Sequence, residues 1–251
     1  MSDQAGTLRE LLHHDTAYEP GAHVLECGCG TGAQTVILAT ESPTARITAV
    51  DISDASIEQA RVRINRSGCR NVEFQRADIF DLPFEDERFD HAFVCFVLEH
   101  VGRAQDALRS IRRVLRPGGT VTVIEGDHGS WYCYPQTTES KRVVECLIEV
   151  QAKLGGDALI GRRLYPLLYQ TGFVDVHVSP RMVHVDGGRP DLIEGFSRNT
   201  FIAMVEGVRD QALSLGLIDD PAWQKGIADL YRATEADGTF SYTFFKGRGT
   251  K

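Results

Sequence analysis

Val24-Leu25-Glu26-Cys27-Gly28-Cys29-Gly30-Thr31-Gly32 carries an apolar run into an acid and then into three glycines at alternate positions. Glycine lets the backbone turn sharply and approach a ligand closely, and a helix that begins there offers free N–H groups to negative charge. The segment therefore predicts a strand, a turn and a helix, with a small anionic group seated on the turn. The plain alternative is a tight strand-to-helix turn that holds nothing, but three glycines cost backbone entropy that such a turn does not need.

Working outward, the next acid at a strand end is Asp51, 23 residues beyond Gly28, in Ile47-Thr48-Ala49-Val50-Asp51-Ile52. An acid at this distance, closing the second strand, is placed to accept hydrogen bonds from both hydroxyls of a ribose. Asp78 follows the third strand in Arg76-Ala77-Asp78-Ile79-Phe80. It is suited to an adenine amino group, with Ile79 packing on the ring, although an acid there also serves as an ordinary turn residue. Turn and acids together describe a nucleoside with a charged tail. Gly28, Gly30 and Ala33 also satisfy the G-x-G-x-x-G/A spacing of a dinucleotide site, so an NAD(P)-dependent oxidoreductase is the competing reading.

Short β-branched runs alternate with helical patterns through the first half, which argues for βα units on a parallel sheet. The expected strands are His23 to Glu26, Ile47 to Asp51, Val72 to Arg76, His91 to Phe96 and Thr120 to Glu125. Leu108, Ile111, Val114 and Leu115 recur at helical spacing before Pro117-Gly118-Gly119 turns the chain into the fifth strand. Thr7 and Glu10 match a capping box for a short helix carrying Leu8, Leu11 and Leu12. Beyond Glu125 the expectations are a helix from Ser140 to Lys153, strand-like segments Phe173 to Val178 and Met182 to Val185, and helical stretches at Asp191 to Leu215 and Pro221 to Ala233. The final run, Phe240 to Lys246, alternates aromatic and polar residues and reads as an antiparallel partner of the strand near 173–178. No repeat or linker interrupts the chain. The expected organisation is one domain: an N-terminal helix (1–20), a cofactor-binding core (21–126), helical cap insertions (127–171 and 190–235) and C-terminal strands (172–186 and 239–247).

Over residues 20–126 the sequence resembles the class I S-adenosylmethionine-dependent methyltransferases, especially the group similar to the ubiquinone and menaquinone biosynthesis enzymes. Glu26 to Gly32 is similar to that family's E/D-x-G-x-G-x-G loop, Asp51 to its ribose-binding acid, and Ala77-Asp78-Ile79 to its adenine-contacting segment. Phe89-Asp90 with Phe96-Val97-Leu98-Glu99-His100 resembles the fourth motif, and Leu115 to Gly119 the motif before strand five. The resemblance implies an α/β, Rossmann-like fold: a seven-stranded, mostly parallel sheet with its last strand antiparallel, helices on both faces and a helical cap. It implies S-adenosyl-L-methionine as cofactor, held by Glu26, Gly28, Gly30, Gly32, Asp51, Ile52, Asp78, Ile79 and Phe96. About 20 residues precede the first strand, fewer than relatives often carry, so access falls to an open site or to the helical insertions as lids.

In such an enzyme the donor is already activated, and alignment of the acceptor is the main task; proximity supplies as much as roughly 7–11 kcal/mol. The acceptor is expected beyond the C-terminal ends of strands four and five. His128, in Glu125-Gly126-Asp127-His128-Gly129, is the candidate base or orienting group, against an equally simple structural role. His100, Trp131 and Tyr132 are candidate acceptor contacts, with helix-start and packing roles as their alternatives. The end of strand four, Val94-Cys95-Phe96-Val97, offers no oxygen-rich ligand set, so no catalytic metal is expected.

The 27 basic and 35 acidic residues give a net charge of −8, a poor field for tracking a phosphate backbone, and nucleic acid is not an expected partner. The longest unbroken apolar run, Ala92 to Leu98, is far short of a membrane span, and Met1-Ser2-Asp3-Gln4 does not open a secretory leader. Six cysteines, at 27, 29, 69, 95, 133 and 146, include no second close pair for a zinc site and read as reduced thiols. The expected protein is cytosolic: a methyltransferase moving a methyl group to a small-molecule acceptor by in-line displacement. A non-catalytic S-adenosylmethionine-binding regulatory protein stands beside the oxidoreductase as an alternative.

Overall fold

A computed structural model describes residues 6–251, so the start of the chain from Met1 to Gln4 lies outside the described residues. Six strands of the first half and its edge follow in order: β1 (His23–Cys27), β2 (Arg46–Asp51), β3 (Val72–Arg76), β4 (Phe89–Cys95), β5 (Leu115–Gly126) and β6 (Tyr132–Tyr134). Two long strands, β7 (Val174–Val185) and β8 (Thr239–Thr250), complete an eight-stranded sheet of order β3-β2-β1-β4-β5-β8-β6, with β7 on β8. β1 to β5 are mutually parallel, and β8 runs antiparallel to β5 and to β7.

The eighth strand is a departure from the seven expected. One edge of β8 pairs with β7 along almost its whole length, while its other edge pairs with β5 through Phe244–Thr250 and with β6 through Thr239–Ser241. β6 therefore extends the β5 position after a short loop, and the sheet still has seven strand positions across. The separate segments expected around 173–178 and 182–185 are one strand, because the long β8 offers a continuous ladder to both.

Helices cover both faces, which is why the central strands read as unbroken apolar runs rather than alternations. On one face Leu25, Cys27, Ala92, Val94, Val121 and Val123 pack under α4 (Ala104–Val114) and α6 (Leu164–Gln170). On the other, Val24, Phe93 and Ile124 lie under α1 (Arg9–His13), α2 (Ala33–Glu41) and the cap. α3 (Asp54–Ser67) begins where Ser53 Oγ accepts the Ser56 N–H at 3.2 Å.

The cap is built from α5 (Thr138–Lys153) and a helical series running through α7 (Pro190–Leu192), a π-helical stretch Ile193–Ile202, α8 (Ala203–Glu206), α9 (Arg209–Ser214) and α10 (Asp220–Arg232). The helical insertion expected over Asp191 to Leu215 is a series of short helices. Within its wide turn the Thr200 hydroxyl donates to the Gly195 carbonyl at 2.8 Å. Phe196 and Phe201 project from it onto Phe240 and Tyr242 of β8.

The capping box expected at Thr7 and Glu10 does not start α1, whose N-cap is Leu8 without a side-chain cap. Burial of Leu8 and Leu12 holds this single turn instead. A buried cation then locks the segment down: the Lys246 ammonium donates to the Leu12 carbonyl at 3.1 Å and pairs with Asp15 Oδ1 at 2.5 Å. Arg181 binds the other Asp15 oxygen at 2.6 Å. Burial works against the Asp15 carboxylate, but the hydrogen bonds from Lys246 and Arg181 hold its carboxyl far below the ordinary range.

Candidate cofactor and methyl-transfer site

The glycine turn between β1 and α2 is shaped by its neighbours. Gly28 and Gly32 have φ of +73° and +79°, and a Cβ at Gly28 would lie 2.4 Å from Val97 Cγ2, one at Gly32 2.9 Å from the backbone and Cβ of Ala60. The turn threads between the end of β4 and α3, where no side chain fits. Gly30 faces open space. The Gly28 and Cys29 N–H groups both donate to the Val50 carbonyl, at 2.8 and 3.0 Å, which ties the turn to β2.

Asp51, closing β2, completes the tie. Its Oδ2 accepts the Gly30 N–H and its Oδ1 the Ser53 N–H, both at 2.9 Å. The carboxylate is fixed in one orientation, with one further acceptor position left on each oxygen. Beyond β3, the Asp78 carboxylate accepts the Phe80 N–H at 2.9 Å and makes the turn that presents Ile79 and Phe80. A cleft of about 470 Å³ opens between these pieces. Its walls include Gly28, Gly30, Asp51, Ile52, Asp78, Ile79, Phe96 and His100 of the expected residues.

The wall at the end of β4 is strained and heavily supported. Phe96 adopts φ of +58°, a conformation unfavourable for a bulky side chain, while its N–H donates to the Ile124 carbonyl at 2.9 Å. Glu125 Oε1 accepts the next two backbone donors, Val97 at 3.0 Å and Leu98 at 2.7 Å. Glu125 is wholly buried; that burial, and then the charge of Glu99, push its carboxyl well above the ordinary range.

His128 stands behind this wall. It is 4% exposed, with Nδ1 2.8 Å from the Tyr242 hydroxyl and Nε2 3.4 Å from Glu99 Oε2. The other Glu99 oxygen lies 3.5 Å from Nε2 of His100, which reaches the cleft. Burial opposes the Glu99 carboxylate, but the His128 hydrogen bond and charge bring its carboxyl below the ordinary value. The loop carrying His128 is pinned: Asp127 takes Arg162 in a two-point pair at 2.6 and 2.8 Å, and the His128 N–H donates to the Ala158 carbonyl.

The remaining expected residues sit elsewhere. Glu26 lies beneath the turn, and Gly32 behind it against α3. Trp131 does not border the cleft: it packs on Phe201 and Phe240 under the cap. Tyr132 lies on the β6 edge, half-exposed, with its hydroxyl 3.9 Å from the Met182 sulfur. Sequence reading missed Gln34 and Cys95 as cleft residues and Glu99, Glu125 and Tyr242 as supports. Gln34 lies two residues beyond the last of the three glycines, in the first turn of α2, and was open to inference; Tyr242 is 114 residues from His128, and only tertiary pairing joins them.

A family model described as a methyltransferase domain matches residues 18–172. An uncharacterised 37.1 kDa protein of transposon TN4556 from Streptomyces fradiae is 34% identical over 232 residues, covering 91% of this chain and 63% of that protein. The ubiquinone/menaquinone biosynthesis C-methyltransferase UbiE of Ectopseudomonas mendocina (strain ymp) is 41% identical over 108 residues, 42% of each chain. Among solved structures, Haemonchus contortus phosphoethanolamine N-methyltransferase 2, in complex with phosphomonomethylethanolamine and S-adenosylhomocysteine, superposes with a TM-score of 0.59 at 17% identity over 99% of this chain and 53% of that one. The glycine turn and the acid closing β2 lie within this match, and the chain belongs to the family described as a methyltransferase domain. It spans 63% of the length of the Streptomyces relative and 42% of UbiE.

Proposed function

We propose that this chain binds S-adenosyl-L-methionine in the cleft above the glycine turn and moves its methyl group to a small-molecule acceptor by in-line displacement. The observation that carries the reading is Asp51: a carboxylate on the cleft wall anchored by Gly30 and Ser53 N–H groups, each oxygen keeping an acceptor position for a ribose hydroxyl. The other residues fit the same group. Glu26 Oε2 and Gln34 Oε1 are buried acceptors with no donor, suited to the amino-acid end, while Asp78 and Ile79 line the cleft where a base would lie. When bound, the cofactor supplies a methyl group already activated by the sulfonium. Phe96 and Val97, held by Glu125, wall the side of the cleft from which an acceptor would come.

His100 and His128 are the acceptor-side groups of this reading, linked through Glu99. The buried position of His128 suits an orienting role, and Trp131 and Tyr132 would act on the acceptor only through the cap and the β6 edge. With a labelled donor and an acceptor found by screening, His128→Ala is expected to slow transfer more than it weakens S-adenosylhomocysteine binding; unchanged turnover would leave His128 structural. Six unpaired cysteines accord with a reducing compartment, and no helix among the described residues is long and apolar enough to cross a membrane; a cytosolic site of action is part of the proposal.

Calorimetry tests the whole reading. S-adenosylhomocysteine is expected to bind at one site and NAD(H) not to bind measurably. The reverse pattern would transfer the turn and Asp51 to a dinucleotide and discard the methyltransferase assignment.

A further inference from the structure

Four side chains from three segments form a line from the interior of the fold to the cofactor cleft. At its inner end is Tyr242 of β8, whose buried hydroxyl lies 2.8 Å from Nδ1 of His128. Nε2 of His128 faces Glu99 Oε2 at 3.4 Å, and Glu99 Oε1 faces Nε2 of His100 at 3.5 Å. Tyr242, His128 and Glu99 are all buried, whereas the His100 side chain is 61% exposed and lines the cleft with Phe96 and Val97. Glu99 thus divides one carboxylate between an imidazole inside the fold and an imidazole at the ligand. A polar cluster that served packing alone would end inside; this one opens on the cleft.

The backbone around the line leaves room for it. A Cβ at Gly126 would lie 2.3 Å from the Tyr242 hydroxyl oxygen, and one at Gly156 2.5 Å from the Glu99 carbonyl. The Glu99 carbonyl accepts the Asp157 N–H at 2.8 Å and the Gln151 side-chain amide at 3.2 Å. Glu99 and His100 end the single 3₁₀ turn Leu98–His100, whose first N–H is held by Glu125. Burial, and then the charges of Glu99 and Asp127, push the Tyr242 hydroxyl well above its ordinary range, so it keeps its proton and donates to Nδ1 of His128. His128 is then the Nε2–H tautomer and turns that donor towards Glu99. Burial opposes a charge on Glu99, but the His128 hydrogen bond and charge, and then His100, keep its carboxyl below the ordinary value and ionised.

We propose that His100 is the proton acceptor of the transfer, that Glu99, His128 and Tyr242 are positioning residues behind it, and that the methyl acceptor is a neutral hydroxyl compound. The inference rests on the methyltransferase reading and deepens it. A neutral amine attacks with a lone pair it already has, whereas a hydroxyl is a weak nucleophile until its proton is drawn away, and a positioned base serves the second. In the step the hydroxyl oxygen bonds to the methyl carbon, and the carbon–sulfur bond breaks with its electron pair left on sulfur. The O–H proton passes to Nδ1 of His100 and then to solvent. Glu99, at Nε2 of the same ring, offsets the positive charge that His100 carries in between.

The test uses S-adenosyl-L-methionine labelled in its methyl group and two acceptor panels, phenols and alcohols in one, primary and secondary amines in the other. Calorimetry with S-adenosylhomocysteine accompanies every variant. Label is expected in the hydroxyl panel. His100→Ala should lower kcat by about 10²–10⁴-fold with S-adenosylhomocysteine affinity kept, and added imidazole should restore part of the rate, because the vacated place opens on the cleft. The buried His128→Ala should slow transfer without such rescue. Tyr242→Phe keeps the ring and removes only the hydroxyl; it should lower kcat at unchanged KM. The ¹⁵N ring spectrum of His128 should show the Nε2–H tautomer in the wild type and a mixture in Tyr242→Phe, a readout that needs no acceptor. Label in the amine panel alone or in neither panel, full turnover in His100→Ala, or an Nδ1–H tautomer of His128 in the wild type would overturn the proposal. Each leaves the methyltransferase reading standing as long as S-adenosylhomocysteine binds; absence of that binding in the wild type would overturn both.

Discussion

At a pH near 4.5, where the wild-type carboxyl costs little by ionising on unfolding, Glu125→Ala is expected to cost about 3–5 kcal/mol of folding stability, while Glu125→Gln costs less than about 1 kcal/mol. The alanine variant strips the Val97 and Leu98 N–H groups of their shared acceptor in a site from which water is excluded. Each buried donor left unsatisfied costs about 1–3 kcal/mol, and the cavity adds to that. Glutamine keeps an acceptor oxygen in place and resembles the neutral acid that burial, and then the Glu99 charge, favour at this position. Both variants also lose the pH dependence that the wild-type carboxyl contributes. A carboxyl raised in the folded state stays protonated while its unfolded counterpart ionises, so Glu125 lowers stability as pH rises from its unfolded value near 4.5 towards its folded one. Either variant removes that loss and should gain on the wild type by up to about 1.4 kcal/mol per pH unit as pH rises above the unfolded value near 4.5. Urea unfolding at several pH values checks both statements. Equal losses in the two variants would mean that the carboxyl is ionised in the fold and supports the Phe96 wall by charge rather than as an acceptor.

Asp51→Ala should weaken S-adenosylhomocysteine binding by about 1–3 kcal/mol, roughly 5–150-fold, through the loss of charged hydrogen bonds to the ribose. The effect has two sources that the Asn variant separates. Asp51 accepts the Gly30 and Ser53 N–H groups as well as facing the cleft, so alanine also frees the glycine turn from β2. Asparagine keeps one acceptor oxygen for the turn or the diol but not both, and is expected to fall between wild type and alanine. Calorimetry on folded variants, with thermal unfolding as the control for the turn, makes the comparison. Affinity unchanged in Asp51→Ala would remove the ribose assignment and with it the main support for the cofactor reading.

The Glu125 and Asp51 predictions concern the same design. The cofactor cleft is made by loops, but each loop is fastened by a carboxyl group from a neighbouring strand: the glycine turn by Asp51, the turn after β4 by Glu125. The strained Phe96 conformation persists because Glu125 and the Ile124 carbonyl hold the backbone on both sides of it. Such fastening keeps the walls in place before a ligand arrives and lowers the ordering cost of binding.

Much of the parallel half of the molecule was legible in the residues alone. β-branched runs ending in acids, three alternate glycines and the Leu108–Val114 periodicity are local signals, carried within about ten residues, and the strands β1 to β5 and the cleft residues from Gly28 to Asp78 follow from them. The later half was less legible because its order depends on pairing across distance. β6 is three residues long and exists only because Thr239–Ser241 of β8 offers it an edge, which takes Tyr132 to the rim of the sheet and leaves Trp131 packed under the cap. The Thr7–Glu10 box had the right letters, but the N-cap of α1 is Leu8, and Leu8 and Leu12 are buried.

The sequence by itself determined the class of fold, the glycine turn and the acid that faces it, because backbone conformation and strand-end position are short-range properties. The tertiary structure alone decided what surrounds those residues. It joined Glu99, His128 and Tyr242 from three distant segments, and it tied α1 to β8 through Lys246. Charge state follows the same division: the presence of a carboxyl is written in the chain, but burial and the absence of a nearby cation, which only folding sets, determine whether it holds a proton.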